Sequence, residues 1–572
     1  MTPTDAPRAP GAAGVLNAAA VAFKPWRKRL AMIAAEFAVA IGAALAFARW
    51  STSIAVNPMT RIGQVSGLAA LQFRLIAVAL PLLALVLWSV FRASPRVHRI
   101  VLRLVCAAIA GLATGMTAGG QVVALRGTPW PLNGQSGDNG RLEAWATQIQ
   151  HSGHMVNIYP PVLPHLTAFW ADHFVDNHQT AFALKWILII SIALTGPAAY
   201  LAWRMFLRPL PALGVGMLAG IPSVVVYKPY SPLVLVVLIP LLAKLLQLLR
   251  NSPRRPYPAV AWRGAAVGAM LGVLFIVYSG WHIWSAPGIL LAIVGLFPWR
   301  SGRDGMLRAG AFLGTALLAF LIIGGKYGYM LLSAADSTKD RFCSTLTLVD
   351  PGYIAMTPFY TRNGNLPGMW PPPGELGGVG VFTALMMVGV AVALTVGLRR
   401  SAVIGVVACF GSAWAIRFFF ASHMERDQAV QLFPRTYQTL LYCGLALFGL
   451  ACVLTGERVK ERLAAIPALQ SPTASRNAGR YAAIGVLTAT VVLTGMAASA
   501  QSDPFFPENP KGVSTMGRLA YQAHLLAKPD GTCSKFAPHG KCDPPRKLNP
   551  ISPPETDQLL HGCEYAWRKN QP

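Results

Sequence analysis

Charge is scarce in this chain, and negative charge scarcer still. Asp, Glu, Lys and Arg make up 12% of the 572 residues, about half the share of a soluble domain. Hydrophobic residues make up 54% and the mean hydropathy is +0.46, so water is excluded as the solvent for most of the surface. Acidic residues number 22 against 49 Lys and Arg, a net charge of +27. An excess of that size suggests a nucleic-acid partner, but the basic residues sit in short runs between apolar segments. That distribution is a membrane-topology signal, so no nucleic acid is expected. There is no C-x-x-C pair and no zinc-ligand spacing, which argues against a metal or thiol centre. No small-residue cleavage site follows the first apolar segment, which is expected to stay as an uncleaved anchor.

What the chain has instead is apolar runs. At roughly 20 residues per crossing, they give about thirteen transmembrane helices, near 30–50, 68–89, 100–120, 181–202, 209–226, 232–249, 262–280, 286–299, 309–326, 377–398, 402–420, 436–455 and 481–500. Lipid offers the backbone no hydrogen-bond partners, so the spans are helices and the fold class is an all-α polytopic membrane protein. Residues 1–29 read as a cytoplasmic tail, 30–500 as the transmembrane unit and 501–572 as an extracytoplasmic C-terminal segment. That last segment is polar, rich in loops and suited to stapling by disulfides.

Alternation from an inside N-terminus places Arg204 and Arg208, Arg250, Arg254 and Arg255, Arg300, Arg303 and Arg308, Arg399 and Arg400, and Arg458, Lys460 and Arg462 on the cytoplasmic side. The short outer turns hold few basic residues: Arg61, Lys228, Arg426 and Arg435. The bias repeats at every turn and orients the bundle in a cell membrane. Acidic residues favour the other side, Asp138, Glu143, Asp172, Asp176, Asp336 and Asp340 among them, and few lie inside: Asp304, Glu457 and Glu461, besides Asp5 in the tail. Topology does not require that, so a carboxylate-rich outer face suggests work done there, with loop solvation as the plainer explanation. Cys106, Cys409, Cys443 and Cys452 lie within spans. Cys343, Cys533, Cys542 and Cys563 lie in outer segments and allow two disulfides in three pairings.

Two outer segments are long. The first, 121–180, contains Gly137-Asp138-Asn139-Gly140-Arg141, and its glycines let the backbone turn sharply around Asp138. Leu142, Trp145, Ala146 and Ile149 then recur at helical spacing, with Arg141, Glu143, Gln148 and Gln150 on the other face. The pattern is a short helix lying at the membrane surface. A second follows Pro164, with Leu166, Phe169, Trp170 and Phe174 as its apolar face. Asp138 would serve equally well as the N-cap of the first helix. Tyr159-Pro160-Pro161 makes a rigid corner. Arg141, His154, Asn157 and Tyr159 are candidates for the wall of a site beside Asp138. His151 and His154 lack a third ligand nearby, so no metal is expected. The second segment, 327–376, interleaves Tyr353, Phe359, Tyr360 and Trp370 with Asn363 and Asn365. That mixture suits a glycan, or simply an aromatic belt.

Cations come from separate turns. Lys228 lies in Tyr227-Lys228-Pro229-Tyr230, Arg426 in His423-Met424-Glu425-Arg426-Asp427 and Arg435 in Gln431-Leu432-Phe433-Pro434-Arg435-Thr436. Arg417 lies late in an apolar run, where an ionisable residue is a functional candidate. Snorkelling or a local ion pair would explain each of them as well. Glu36, Lys185 and Lys244 are the main intramembrane charges, and their positions in sequence do not pair them.

Gly137-Asp138, the Tyr159-Pro160-Pro161 corner, the Gln431–Thr436 stretch and the plan of many spans before an outer C-terminal segment resemble the GT-C glycosyltransferases. Within them the chain is most similar to the actinobacterial arabinofuranosyltransferase A group, which primes galactan with arabinose. The resemblance implies a GT-C-like bundle, a decaprenyl-phosphoryl arabinofuranose donor and a galactan acceptor on the outer face. It implies inverting transfer, by direct attack of a galactose hydroxyl on the anomeric carbon, with Asp138 as general base. Elementary chemistry asks for the same parts. A sugar hydroxyl must lose its proton to a base, and a departing lipid phosphate needs cations near it. Lys228, Arg417, Arg426 and Arg435 are the candidates for the phosphate, Arg435 on physical grounds alone, and Trp370 for the acceptor wall. Two features depart from the group: the C-terminal segment is short, and no second acidic residue stands beside Asp138 for a D-x-D metal site. No cofactor is expected. The alternatives are a GT-C enzyme moving another polyprenyl-phosphate sugar, such as mannose, and a lipid or solute transporter. The chain shows no internal repeat, which counts against the transporter.

Overall fold

The computed structural model describes residues 12–155, 159–224, 228–333, 381–427, 436–464, 472–508 and 515–545. Among them there is no strand. The helices are α1 (Ala12–Ser51), α2 (Arg61–Arg92), α3 (Pro95–Ala124), α4 (Gly137–Ser152), α5 (Val162–Phe174), α6 (Thr180–Trp203), α7 (Pro209–Gly220) and α8 (Tyr230–Arg250). They continue as α9 (Tyr257–Val277), α10 (Gly280–Leu296), α11 (Gly302–Ser333), α12 (Val381–Gly397), α13 (Ser401–Asp427), α14 (Thr436–Ala464), α15 (Pro472–Ser502) and α16 (Thr515–Leu525).

Ten of the described helices are long and apolar enough to cross a membrane, and the protein is an all-α polytopic membrane protein. The shorter apolar helices α7, α10 and α12 stand where the spans near 209–226, 286–299 and 377–398 were expected. Helix α7 has 12 residues, about 18 Å against a hydrocarbon core of about 30 Å. It ends at Gly220, just before Pro222, which lacks a backbone donor, and residues 221–223 are a turn. Irregular backbone at that depth is tolerated where it is buried in protein or lines a cavity.

Lipid supplies no hydrophobic drive between helices, so close backbone approach holds them together. Two seams do this with glycines four apart. On α3, a Cβ at Gly111 would run into the Ala40 carbonyl of α1, and one at Gly115 would come within 2.9 Å of the Ala44 carbonyl. On α9, a Cβ at Gly264 or Gly268 would run into the Phe312 or Ala316 carbonyl of α11.

Polar contacts sort the turns into two ends. At one end Arg250 Nη1 donates to the Arg399 carbonyl at 2.9 Å, Arg308 Nη1 donates to the Pro253 and Arg255 carbonyls, and Arg400 pairs with Glu457 at 3.2 Å. These are turns that alternation puts on one side. Glu36 is not solitary. Its carboxylate accepts from Arg103 at 2.6 Å, Arg204 at 2.8 Å and the Tyr200 hydroxyl at 2.5 Å, tying α1, α3 and α6 together. Lys185 and Lys244 are partnered too. Lys185 donates to the carbonyls of Leu125 and Thr128, at 2.9 and 2.7 Å, and Lys244 to Gln247 Oε1 at 2.8 Å. Each of these intramembrane charges finds hydrogen-bond partners in the fold, and Glu36 finds two cations, as burial requires.

Candidate functional site

The opposite end of the bundle is built around the chain leaving α3. Asn133, Gly134 and Gly137 have φ of 70°, 56° and 60°, a left-handed backbone that glycine adopts freely and asparagine tolerates. Helix α4 starts at Gly137 with Ser136 in the capping position, and no side chain caps it. Asp138 is therefore inside the first turn and is not the N-cap. Asn139 Nδ2 donates to the Leu132 carbonyl at 2.5 Å and ties the helix start to the loop before it.

Free of capping, the Asp138 carboxylate meets Lys228 Nζ at 2.8 Å. Lys228 lies on the irregular stretch before α8 and is buried. Its carbonyl accepts from Ser231 N and Ser231 Oγ, both at 2.9 Å. The Ser231 carbonyl in turn accepts from Trp281 Nε1 of α10 at 2.6 Å. The Tyr159 and Tyr230 hydroxyls hydrogen-bond to each other, Tyr230 lying two residues on from Lys228. The Tyr159 ring lies 4.8 Å from Trp145 of α4, and Tyr230 lies 6.1 Å from Tyr278. The fold thus gathers Asp138, Lys228 and Tyr159 and adds an aromatic wall of Trp145, Tyr230 and Tyr278. Tyr230 was visible in the Tyr-Lys-Pro-Tyr turn, whereas nothing local marked Tyr278.

Arg141 stands one turn on from Asp138, on the same face of α4 as Trp145. It is half-buried and makes no hydrogen bond or ion pair with any described residue. Glu143, expected on an exposed polar face, is buried instead. Burial pushes its carboxyl up to about 8, against the pull of a hydrogen bond with Gln135. Five residues of helix put it about 140° around from Asp138, so it belongs to the face where Thr147 meets Thr180 at 3.1 Å. Helix α5 is likewise turned. Leu163, Thr167, Ala168 and Ala171 are buried while Leu166, Phe169 and Phe174 are exposed, which suits a helix lying in the interface.

None of the other described candidates forms an ion pair with Asp138. His154 is exposed past the far end of α4, with Nδ1 2.8 Å from the Ser152 carbonyl, roughly 20 Å along the helix from Asp138. Arg417 is buried in α13, with Nη1 3.4 Å from Thr436 Oγ1. Arg426 is in the exposed last turn of α13. Asn157, Trp370 and Arg435 lie outside the described residues, as do the aromatics of 334–376, Cys343 and Cys563. Cys533 and Cys542 are joined in a disulfide.

An apolar groove of about 590 Å³ runs between α2, α3 and α15, lined by Leu75, Leu83, Leu112, Met116, Val491 and Met496. Gln72 Nε2 donates to Ser499 Oγ at its edge, at 2.6 Å. The next polar residue of α15, Gln501, donates to the Val224 carbonyl at 3.2 Å. Val224 stands four positions before Lys228 in the sequence.

No family model matches the chain, and a search of curated proteins gives no match. The site is read from its own chemistry. A half-exposed carboxylate beside a buried ammonium can take a proton from a hydroxyl while the ammonium meets an anion. Tyrosine and tryptophan walls offer flat apolar faces with polar tips.

Proposed function

We propose that the protein is a membrane glycosyltransferase that takes its sugar from a polyprenyl phosphate. The observation that carries this reading is the Asp138–Lys228 pair at 2.8 Å, which joins the start of α4 to the stretch before α8. Following the resemblance, the sugar is arabinofuranose and the acceptor is galactan. The acceptor hydroxyl attacks the anomeric carbon, its proton goes to Asp138, and the bond from that carbon to the phosphate oxygen breaks. The donor leaves as a phosphate monoester whose added charge Lys228 meets, with Arg141 as a second cation. The groove takes the isoprenoid chain. The positive-inside bias puts this end of the bundle on the extracytoplasmic face of the cell membrane.

The test is transfer in proteoliposomes from defined donors to oligogalactan. Wild type should use decaprenyl-phosphoryl arabinofuranose, and Asp138→Asn should lose about a hundredfold or more. Full transfer by the Asn variant removes the base. Transfer from a mannosyl donor alone changes the sugar, and none from any donor removes the enzyme.

A further inference from the structure

Residues 125–136 connect α3 to α4 and stop just short of Asp138. Four hydrogen bonds tie this connection, and a fifth the last residue of α3, to a stretch some four hundred residues later. His524 Nε2 donates to the Ala124 carbonyl at 2.8 Å, and Thr128 Oγ1 to the Ala523 carbonyl at 2.9 Å. Trp130 Nε1 donates to the Ala527 carbonyl, Asn133 N to the Leu519 carbonyl, and Ser534 Oγ to the Gly127 carbonyl, each at 2.9 Å. Side chains close the same seam. A Cβ at Gly134 would run into Leu526, and one at Gly127 would come within 2.9 Å of the Phe536 ring. The later stretch also holds its own shape. Ala527 N donates to the Asp543 carbonyl and Asp543 N to the Leu525 carbonyl, at 2.8 and 2.7 Å, and the Cys533–Cys542 disulfide crosslinks the excursion between them.

The connection needs such a brace. It carries the left-handed Asn133, Gly134 and Gly137 in close succession, and α4 begins without a side-chain cap. An unbraced loop of that kind samples other conformers, and a base misplaced by an ångström loses much of its effect.

We infer that residues 515–545 are a splint that sets the position of Asp138, with Thr128 and Trp130 as positioning residues and the Cys533–Cys542 crosslink keeping the splint in shape. This rests on the reading of Asp138 as the base. The splint itself is tested without substrate.

The experiment uses the full chain in nanodiscs and compares wild type, Thr128→Val, Thr128→Ser, Trp130→Phe and the Cys533→Ser/Cys542→Ser pair. Amide hydrogen exchange is read over 126–142, with α11 as a distant control. Thr128→Val keeps the shape and loses the donor to the Ala523 carbonyl together with the acceptor for Trp130 N at 3.3 Å, and exchange over 126–142 should rise about tenfold; the double Ser variant, which leaves Thr128 intact, isolates the part due to the splint. Thr128→Ser restores the donor and should exchange as wild type does. Trp130→Phe and the double Ser variant should behave like the Val variant. Unchanged exchange in the Val and double Ser variants overturns the splint, as does an equal rise in α11. Transfer kinetics supply the second readout: the Val variant should lose kcat at constant KM and the Ser variant should recover it. A loosened loop with full kcat overturns positioning. A wild type with no transfer defeats the base reading, and the exchange data still decide the splint.

Discussion

Removing Asp138 should cost more stability than removing Lys228, although the two form one ion pair. At 2.8 Å two unit charges attract by about 6 kcal/mol at an effective dielectric of 20. Desolvation offsets much of that, and unequally: the Lys228 side chain is 11% exposed and that of Asp138 is 37%. The net worth lies between that of an exposed pair and that of a buried one, about 1–3 kcal/mol. Asp138→Asn replaces the carboxylate beside a buried ammonium with a neutral amide, and should cost about 2 kcal/mol. Lys228→Met leaves a carboxylate that can turn to water, and should cost about 1 kcal/mol or less. The double variant should show a coupling of about 1–2 kcal/mol in a mutant cycle. Reversible unfolding in mixed micelles measures all three. A Met variant as unstable as the Asn variant, or a coupling near zero, would refute the reasoning, because the pair would then not be held in a half-buried niche.

Burial, with the Lys185 charge adding to it, pushes His524 down to about 4 from the usual 6.5. The docked segment therefore holds a neutral imidazole, and a released one takes up a proton. Docking should be at full strength above about pH 6.5 and weaken by up to about 3 kcal/mol as pH falls through 4; equal exchange protection of 515–525 at pH 7 and 4.5, after correction for intrinsic rates, would contradict this. Glu143 has the opposite sign. Its carboxyl, raised to about 8 by burial, keeps its proton in the fold, so its contribution is complete below the unfolded value near 4.5 and is lost as pH rises through 8. Glu143→Gln should keep its melting temperature between pH 6 and 9 while wild type declines, and parallel curves would exclude the assignment. Gly268→Ala should cost about 1–3 kcal/mol by forcing α9 from α11, whereas Gly310→Ala, with nothing within 4 Å of the added Cβ, should unfold like wild type.

The spans were legible because a bilayer demands long apolar runs, and α4 because its apolar positions keep a helical period. Asp138 stood out through its flanking glycines, but its distance from the cap was decided by Ser136 and the left-handed Gly137. The periodicity rule itself misled at α5, where the larger apolar residues are the exposed ones. Next to lipid, an apolar face need not be the buried face. Glu36 finds Arg103 and Arg204 67 and 168 positions away, a separation no local pattern bridges. Glu143 is buried and hydrogen-bonded to Gln135, eight positions back across the loop that precedes α4. The glycine seams, by contrast, were written plainly as Gly111-x-x-x-Gly115 and Gly264-x-x-x-Gly268, a signal of close helix approach.

Thr128 and Ala523 meet across 395 positions. A ribosome adding about 5–20 residues per second needs roughly 20–80 s to cover that distance. During this interval the first helices are already threaded into the bilayer, and the Asp138 corner waits for a clasp still to be translated. With Asp138 as the base proposed above, its competence is tied to late synthesis of the 515–545 stretch, and nascent or prematurely terminated chains would sit in the membrane inserted but idle.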